Sequence, residues 1–172
     1  MSVLAFPYFF KEFIMNKLRI EKKNIYTIEV NDNGETIEFD IGDIELPFKL
    51  QRAYDGIKAA QTQLKGKIAI IEKQQDRKDK KHLMSKNEEE MLKAWKKAFI
   101  DMRKAMDEFL GEGGCQKIFG DSNYLEMFDD LFDALSEPQE DGLSHLDKMQ
   151  ISRDGLIERI KSKYAVKNNN TI

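Results

Sequence analysis

The most strongly patterned part of the chain is a run of apolar residues spaced alternately three and four positions apart. This spacing places them on one stripe of an α-helix, because a helix turns once every 3.6 residues. Ser85 and Glu88 match a capping box and predict where the helix begins. The stripe consists of Leu92, Trp95, Phe99, Met102, Met106 and Phe109.

Glycines follow the stripe and predict the end of this helix. Glycine readily adopts the left-handed backbone conformation that a C-terminal cap requires. We therefore interpret Gly111, Gly113 and Gly114 as a structural break, after which Ile118 and Phe119 resume the apolar pattern.

A second helical pattern comes earlier, from Phe48 to Ile71, and follows a loop over residues 42–47. Its stripe comprises Leu50, Tyr54, Ile57, Leu64, Ile68 and Ile71, with Gln61 at the missing step. Gly56 and Gly66 each weaken the helix by about 1 kcal/mol relative to alanine, and they permit close approach of a neighbouring backbone. The two helices, joined by a charged segment, predict an antiparallel helical hairpin.

Between Ile25 and Ile41 the apolar period changes to two, which is typical of strands with one buried face. The sequence Asn31-Asp32-Asn33-Gly34 divides this stretch and supplies the positive φ angles of a tight connection. Since a lone β-hairpin is only marginally stable in water, we expect its apolar face to pack on the helices or to pair with a second chain.

Two shorter helical segments follow the glycine break. The first has an acidic outer side, and we expect it to lie against the Trp95 stripe; its apolar residues are Leu125, Met127, Phe128, Leu131, Phe132 and Leu135. Gly155 interrupts the last segment, so a helix is expected mainly over residues 156–165. The predicted fold class is α+β, mainly α: an N-terminal β-hairpin, a long helical hairpin and shorter C-terminal helices.

The length of 172 residues fits one domain. We assign residues 15–165 to a single mostly helical domain that contains the hairpin (25–41), and residues 166–172 to a disordered tail. Met15 begins a stretch typical of a protein start, so residues 1–14 are interpreted as an extension from a misassigned start codon. If they are native, their five aromatic side chains must be buried against the domain or against another copy.

Composition narrows the function classes. With 34% charged and 41% hydrophobic residues, the chain has the composition of a soluble, helix-rich protein. The net charge of -3 argues against a dominant nucleic-acid surface. The apolar run at the N-terminus is too short to span a bilayer and lacks the basic start of a signal peptide. A single cysteine, Cys115, fits a reducing compartment.

The sequence predicts no catalytic, cofactor or metal site. Residues 111–114 lack the Lys-Ser/Thr of a phosphate-binding loop and follow a helix instead of a strand. Cys115 has only His82 and His145 as possible bases, and both belong to other predicted segments, so we interpret it as a small buried side chain.

The chain has one marked charge asymmetry. No lysine or arginine lies between Lys117 and Lys148, where nine Asp and Glu residues occur. Asp129, Asp130 and Asp133, even with His145, do not have the spacing of a calcium-binding loop. We interpret them as a solvated acidic face.

The glycine break and its flanks resemble a known family. The segment DEFLGEGGCQKIFGD (107–121), followed by an acidic and apolar helix, is similar to the tail assembly chaperones of siphophages and prophages of Gram-positive bacteria. An N-terminal strand pair and the helix start Glu45-Leu46-Pro47-Phe48 match the same family, and the likeness covers about residues 15–165.

The resemblance implies a non-enzymatic protein of the host bacterial cytoplasm that binds the tape measure protein and helps the tail tube protein assemble around it. It implies self-association as a homo-oligomer, and no membrane or nucleic-acid partner. Such proteins are often made in a second, frameshifted form, and Lys167-Asn168 is compatible with a slippery codon run, so we hypothesise that the tail is a frameshift region.

A client made of amphipathic helices needs an apolar groove with adaptable walls. The candidate partner-binding residues are Trp95, Phe99, Met102, Met106, Phe128 and Phe132, and Met91 and Met127 would add flexible walls. The simpler interpretation is that these residues form the core of the monomer.

Two other function classes stay open. One is a virion structural or adaptor protein of the phage tail, in which the hairpin would pair with strands of another chain. The other is a small DNA-binding regulator, which the net charge disfavours and which would use the basic residues Arg77, Lys78, Lys80 and Lys81.

Overall fold

The computed structural model describes residues 24–77 and 82–164. This part of the chain contains strands β1 (Ile25–Glu29) and β2 (Thr36–Asp40) and helices α1 (Leu46–Glu72), α2 (Lys86–Leu110), α3 (Gly114–Phe119), α4 (Met127–Ser136) and α5 (His145–Tyr164). The predicted α+β, mainly α class is confirmed. The predictions for residues 1–14, for the tail 166–172 and for Lys78, Lys80 and Lys81 lie outside the described residues.

The two strands form an antiparallel hairpin whose apolar face packs on the helices. Ile28 pairs with Ile37 and Tyr26 with Phe39, and both partners on β2 are buried. The ring of Phe39 lies 5.0 Å from that of Phe109 at the end of α2. The apolar face of the hairpin was expected to pack on the helices or to pair with a second chain. It packs on helices of the same chain.

α1 and α2 form the predicted antiparallel pair and meet through small side chains. Gly56 faces Ala105, and toward the other end Asn87 reaches the carbonyl of Ile71. Alanines at the facing positions of the two helices are buried: Ala53, Ala60 and Ala98. The close approach expected at Gly56 is confirmed, whereas Gly66 faces open space.

Two residues predicted in the apolar stripes lie at the surface instead. Tyr54 is 49% exposed and Leu92 is 56% exposed. In α1 the buried line runs through Ala53 and Ala60 where the sequence predicted Tyr54 and Gln61. The stripe is thus rotated toward the small residues, because these allow the helices to come closer.

The connection between the long helices is fixed by polar contacts at its two ends. Ser85 accepts a hydrogen bond from the Glu88 amide at 3.2 Å, and Glu88 accepts one from the Ser85 amide at 2.6 Å, so the predicted capping box is confirmed. The buried Asn87 side chain donates to the carbonyls of Ile71 and Gln74 at the end of α1. The Ile71 carbonyl also accepts a hydrogen bond from the Gln74 amide at 3.0 Å, so Asn87 joins the start of α2 to the turn that ends α1.

The glycine break turns the chain between α2 and α3. Gly111 and Gly113 have φ angles of 90° and 73°, which favour glycine, and Gly114 packs against Leu110. The Asp107 carboxylate accepts a hydrogen bond from the Cys115 amide at 2.7 Å and so ties α2 to the start of α3.

The acidic helix α4 shares one core with the buried part of the α2 stripe, and its backbone also contacts that of α5. Its Phe132 packs edge-on against Tyr54 of α1, with ring centroids 6.1 Å apart. Leu125, predicted to belong to this helix, precedes it and is exposed.

The expectation that Gly155 confines the last helix to its second half is wrong. α5 begins at His145 and continues through Gly155, which faces open space. Its start is fixed by Ser144, whose hydroxyl accepts a hydrogen bond from the Asp147 amide while the Asp147 carboxylate accepts one from the Ser144 amide, both at 3.0 Å. This cap outweighs the cost of one exposed glycine, about 1 kcal/mol. None of the helices in the described ranges is long and apolar enough to cross a membrane.

We expect Gly56→Ala to destabilise the fold and Gly66→Ala to stabilise it. A Cβ at position 56 would lie 2.6 Å from the Cβ of Ala105, so the helices would have to separate, whereas position 66 is open. Both changes gain the same helix propensity, about 1 kcal/mol, and overpacking costs about 1–3 kcal/mol. Chemical denaturation should therefore give a free energy of unfolding for Gly56→Ala that is lower than that of Gly66→Ala by about 1–3 kcal/mol. Equal values would contradict the close contact.

Candidate partner-binding groove

Most of the predicted partner-binding residues form the core. Phe99, Met102, Met106 and Phe128 are buried, and so is Met127. In this conformation the chain's own helices cover these side chains, and their role in partner binding stays a prediction.

The two remaining candidates lie at the margin of the core. Trp95 is half-buried and stacks on Phe99 with ring centroids 5.8 Å apart. Phe132 is half-buried against Tyr54, and Met91 is half-buried near the start of α2. The three cavities described below are lined by other residues.

An apolar surface lies between the start of α1 and the length of α5. It is a groove of about 640 Å³, which we call the α1–α5 groove. Its floor includes the buried Leu46, Phe109 and Met149. Large apolar side chains stand exposed on both walls: Ile44, Phe48, Ile157 and Ile160.

The sequence explains why each wall is apolar. Pro47 lies in the first turn of α1, where its missing N–H costs no hydrogen bond, and Phe48 beside it is 60% exposed. On α5 the lining residues repeat at helical spacing over about 21 Å, or about four turns; they are Leu146, Met149, Gln150, Arg153, Leu156, Ile157 and Ile160. The groove is therefore long enough for several turns of a partner helix.

Charges at the rim are paired with one another. The Lys49 ammonium lies 2.8 Å from Asp43, and Arg153 lies 3.0 Å from its neighbour Asp154. Exposed pairs of this kind contribute little energy. The surface that the groove offers is consequently defined by its apolar side chains and its shape.

Two other cavities are less suited to a chain segment. The one beneath the hairpin has about 210 Å³, below the usual size of a ligand site. The one between α1 and α2 has about 620 Å³, but charged side chains surround its alanine floor: Lys67, Glu90, Lys93, Lys97 and Asp101.

Cys115 has a structural environment. It is buried, its thiol donates to the Arg103 carbonyl at 3.5 Å, and burial raises the pKa of the thiol far above neutral pH. The reactive thiolate is therefore not formed under ordinary conditions. Within residues 24–77 and 82–164, no three His, Cys, Asp or Glu side chains are grouped to hold a metal ion, and Asp129, Asp130 and Asp133 lie exposed on α4.

His145 has a structural contact at the start of α5. Its Nδ1 lies 2.6 Å from the hydroxyl of Tyr26, which joins the hairpin to α5. In the neutral tautomer protonated on Nε2, Nδ1 accepts this hydrogen bond. Burial lowers the pKa of His145, and the nearby Lys148 charge adds to this effect while Asp141 opposes it.

Comparison of the chain with protein family models, with curated proteins and with solved structures finds no match. The groove and the resemblance of residues 107–121 are therefore the two features of the chain that bear on its function.

We expect buried and exposed residues of the predicted α2 stripe to differ sharply in their effect on stability. Met106 is fully buried, so Met106→Ala should lower the free energy of unfolding by about 2–5 kcal/mol. Leu92 is mostly exposed, so Leu92→Ala should change it by less than about 0.5 kcal/mol. Urea denaturation of the two variants compares them directly. A large loss for Leu92→Ala would mean that its side chain is covered in solution.

Acid should weaken the attachment of the hairpin to α5. Because the pKa of folded His145 is lowered below 6.5, the unfolded chain binds more protons. Its contribution to stability is full above pH 6.5 and is lost as the pH falls through the folded value. Melting temperatures between pH 7.5 and 5 should fall more for the wild type than for His145→Gln. The same decrease in both proteins would exclude this residue as the cause.

Proposed function

We propose that this protein is a non-enzymatic tail assembly chaperone of a siphophage or prophage. In this proposal it holds amphipathic helical segments of the tape measure protein in the α1–α5 groove, in the cytoplasm of the host. The observation that carries the proposal is the pair of apolar walls that stand exposed along about four turns of α5. The likeness of residues 107–121 to this family supports it independently.

The form of the groove suits a helical client. A helix laid along α5 presents apolar residues at i, i+3, i+4 and i+7, and these can alternate with Leu156, Ile157 and Ile160. Covering that stripe keeps the client from aggregating until tail tube protein assembles around it. Because the rim charges are already paired, a client needs no particular charge pattern, only an apolar face.

The side chains of the groove also suit a client whose repeats are imperfect. Met149 at the floor is unbranched and adapts to different neighbours. The Ile157 and Ile160 side chains are 40% and 41% exposed, so each can bury further area on a partner. Apolar contacts without fixed polar partners favour a broad range of sequences over one specific sequence.

The virion adaptor alternative has less support. It needs an edge of the hairpin to pair with a strand of another chain, whereas the hairpin's apolar face already packs on Phe109 and its neighbours, so the hairpin does not depend on a second chain for its burial. Self-association of the chaperone is part of the proposal, through surfaces other than that face.

Co-expression with the tape measure protein tests the function. The wild type should keep the client soluble and co-purify with it. The double variant Phe48→Asp/Ile157→Asp should lose the client, because it places two charges in an apolar site. The matched control Ile100→Asp changes an exposed isoleucine on α2 outside the groove and should retain the client.

A client that stays insoluble with the wild type would overturn the chaperone assignment. Equal retention by the double variant and by Ile100→Asp would instead show that the client binds at another surface.

A further inference from the structure

The described chain begins at the edge of the α1–α5 groove. The carbonyl of Asn24 accepts a hydrogen bond from the amide of Ile41 at 2.9 Å, and Ile41 lines the groove. The Asn24 side chain lies against Gly42, where an added Cβ would approach its Nδ2 to 2.8 Å. The backbone that precedes Asn24 therefore starts beside the loop that leads from β2 into α1.

The sequence upstream of this point is rich in aromatic side chains, which an apolar groove can bury. Residues 1–14 contain the aromatic residues Phe6, Tyr8, Phe9, Phe10 and Phe13. Patches of such density are rarely left in water. The groove for its part leaves Ile44 and Phe48 exposed on the wall nearest to Asn24.

The connecting chain is long enough to join the two. Residues 15–23 are nine residues and can span at most about 30 Å when extended. The lined face of α5 extends about 21 Å. Any part of the groove is thus within reach of residues 1–14, and attachment to the same chain gives them an effective concentration in the millimolar range.

We propose that residues 1–14 bind in the α1–α5 groove of their own chain. The five aromatic side chains of the segment supply apolar area that the groove can bury. Its competition with a client for the groove rests on the proposed function; the docking of the segment does not. Such an occupant lowers the apparent affinity of every client by the fraction of time it is bound.

Cysteine cross-linking of the full-length chain tests the docking. The pair Phe10→Cys/Ile157→Cys places one thiol in the segment and one on the groove wall, and the matched control Phe10→Cys/Ile100→Cys places the second thiol at an exposed site outside the groove. Cys115 can stay in place because it is buried and its thiol is unreactive. Melting curves verify that each variant folds.

With a short bis-maleimide, the groove pair should cross-link within one chain several-fold more than the control pair. Mixing ¹⁵N-labelled and unlabelled chains before the reaction distinguishes the source of the segment. A cross-link that joins labelled to unlabelled chains would assign the groove to a second copy and overturn docking within the chain. Equal yields in the two pairs would overturn docking altogether.

The intact mass of the natural protein is a second test, because a chain that starts at Met15 carries no such segment. Failure of this proposal differs visibly from failure of the chaperone function. Absent cross-linking with normal client capture removes only the occupant, whereas specific cross-linking with an insoluble client removes only the chaperone.

Discussion

Two long helices can approach closely only where their facing side chains are small, and α1 and α2 meet in this way at Gly56 and Ala105. Because the helices are antiparallel, this contact sets the start of α1 beside the end of α2. Phe109 then lies where three parts of the molecule converge: it contacts Phe39 of the hairpin and contributes to the floor of the groove. The groove thus depends on a contact between helices that contains no part of the groove itself.

The elements of the fold could be predicted because each depends on local chemistry. Ser85 and Glu88 cap a helix wherever the chain places them, and Gly111 permits a backbone angle that other residues avoid. Which face of α1 is buried could not be predicted. The large apolar side chain of Tyr54 favoured one face, whereas the packed helices bury Ala53. Which of two adjacent stripes is buried depends on the partner helix, and periodicity carries no information about that partner.

The groove was missed for a related reason. The most regular apolar stripe, which includes Met102 and Met106, is regular because it is buried within the monomer, so pattern strength identified the core. The groove combines Phe48 and Ile157, which are more than a hundred residues apart, and α5 carries its apolar residues among many charged ones. A usable signal in the sequence would have been the large apolar side chains that lie outside the one face that each helix buries in the core.

The polar attachments of α5 are concentrated near its first half. Ser144 and His145 hold its start, and the last attachment is the Ser152 hydroxyl, which donates to the Ile41 carbonyl at 3.3 Å. Beyond Ser152, the hydrogen bonds formed by α5 side chains in the described part of the chain stay within the helix itself. The second half of α5 therefore lies along the groove without a polar attachment to the other described elements. A segment that fills the groove would for this reason also supply contacts that hold this half of the helix in place.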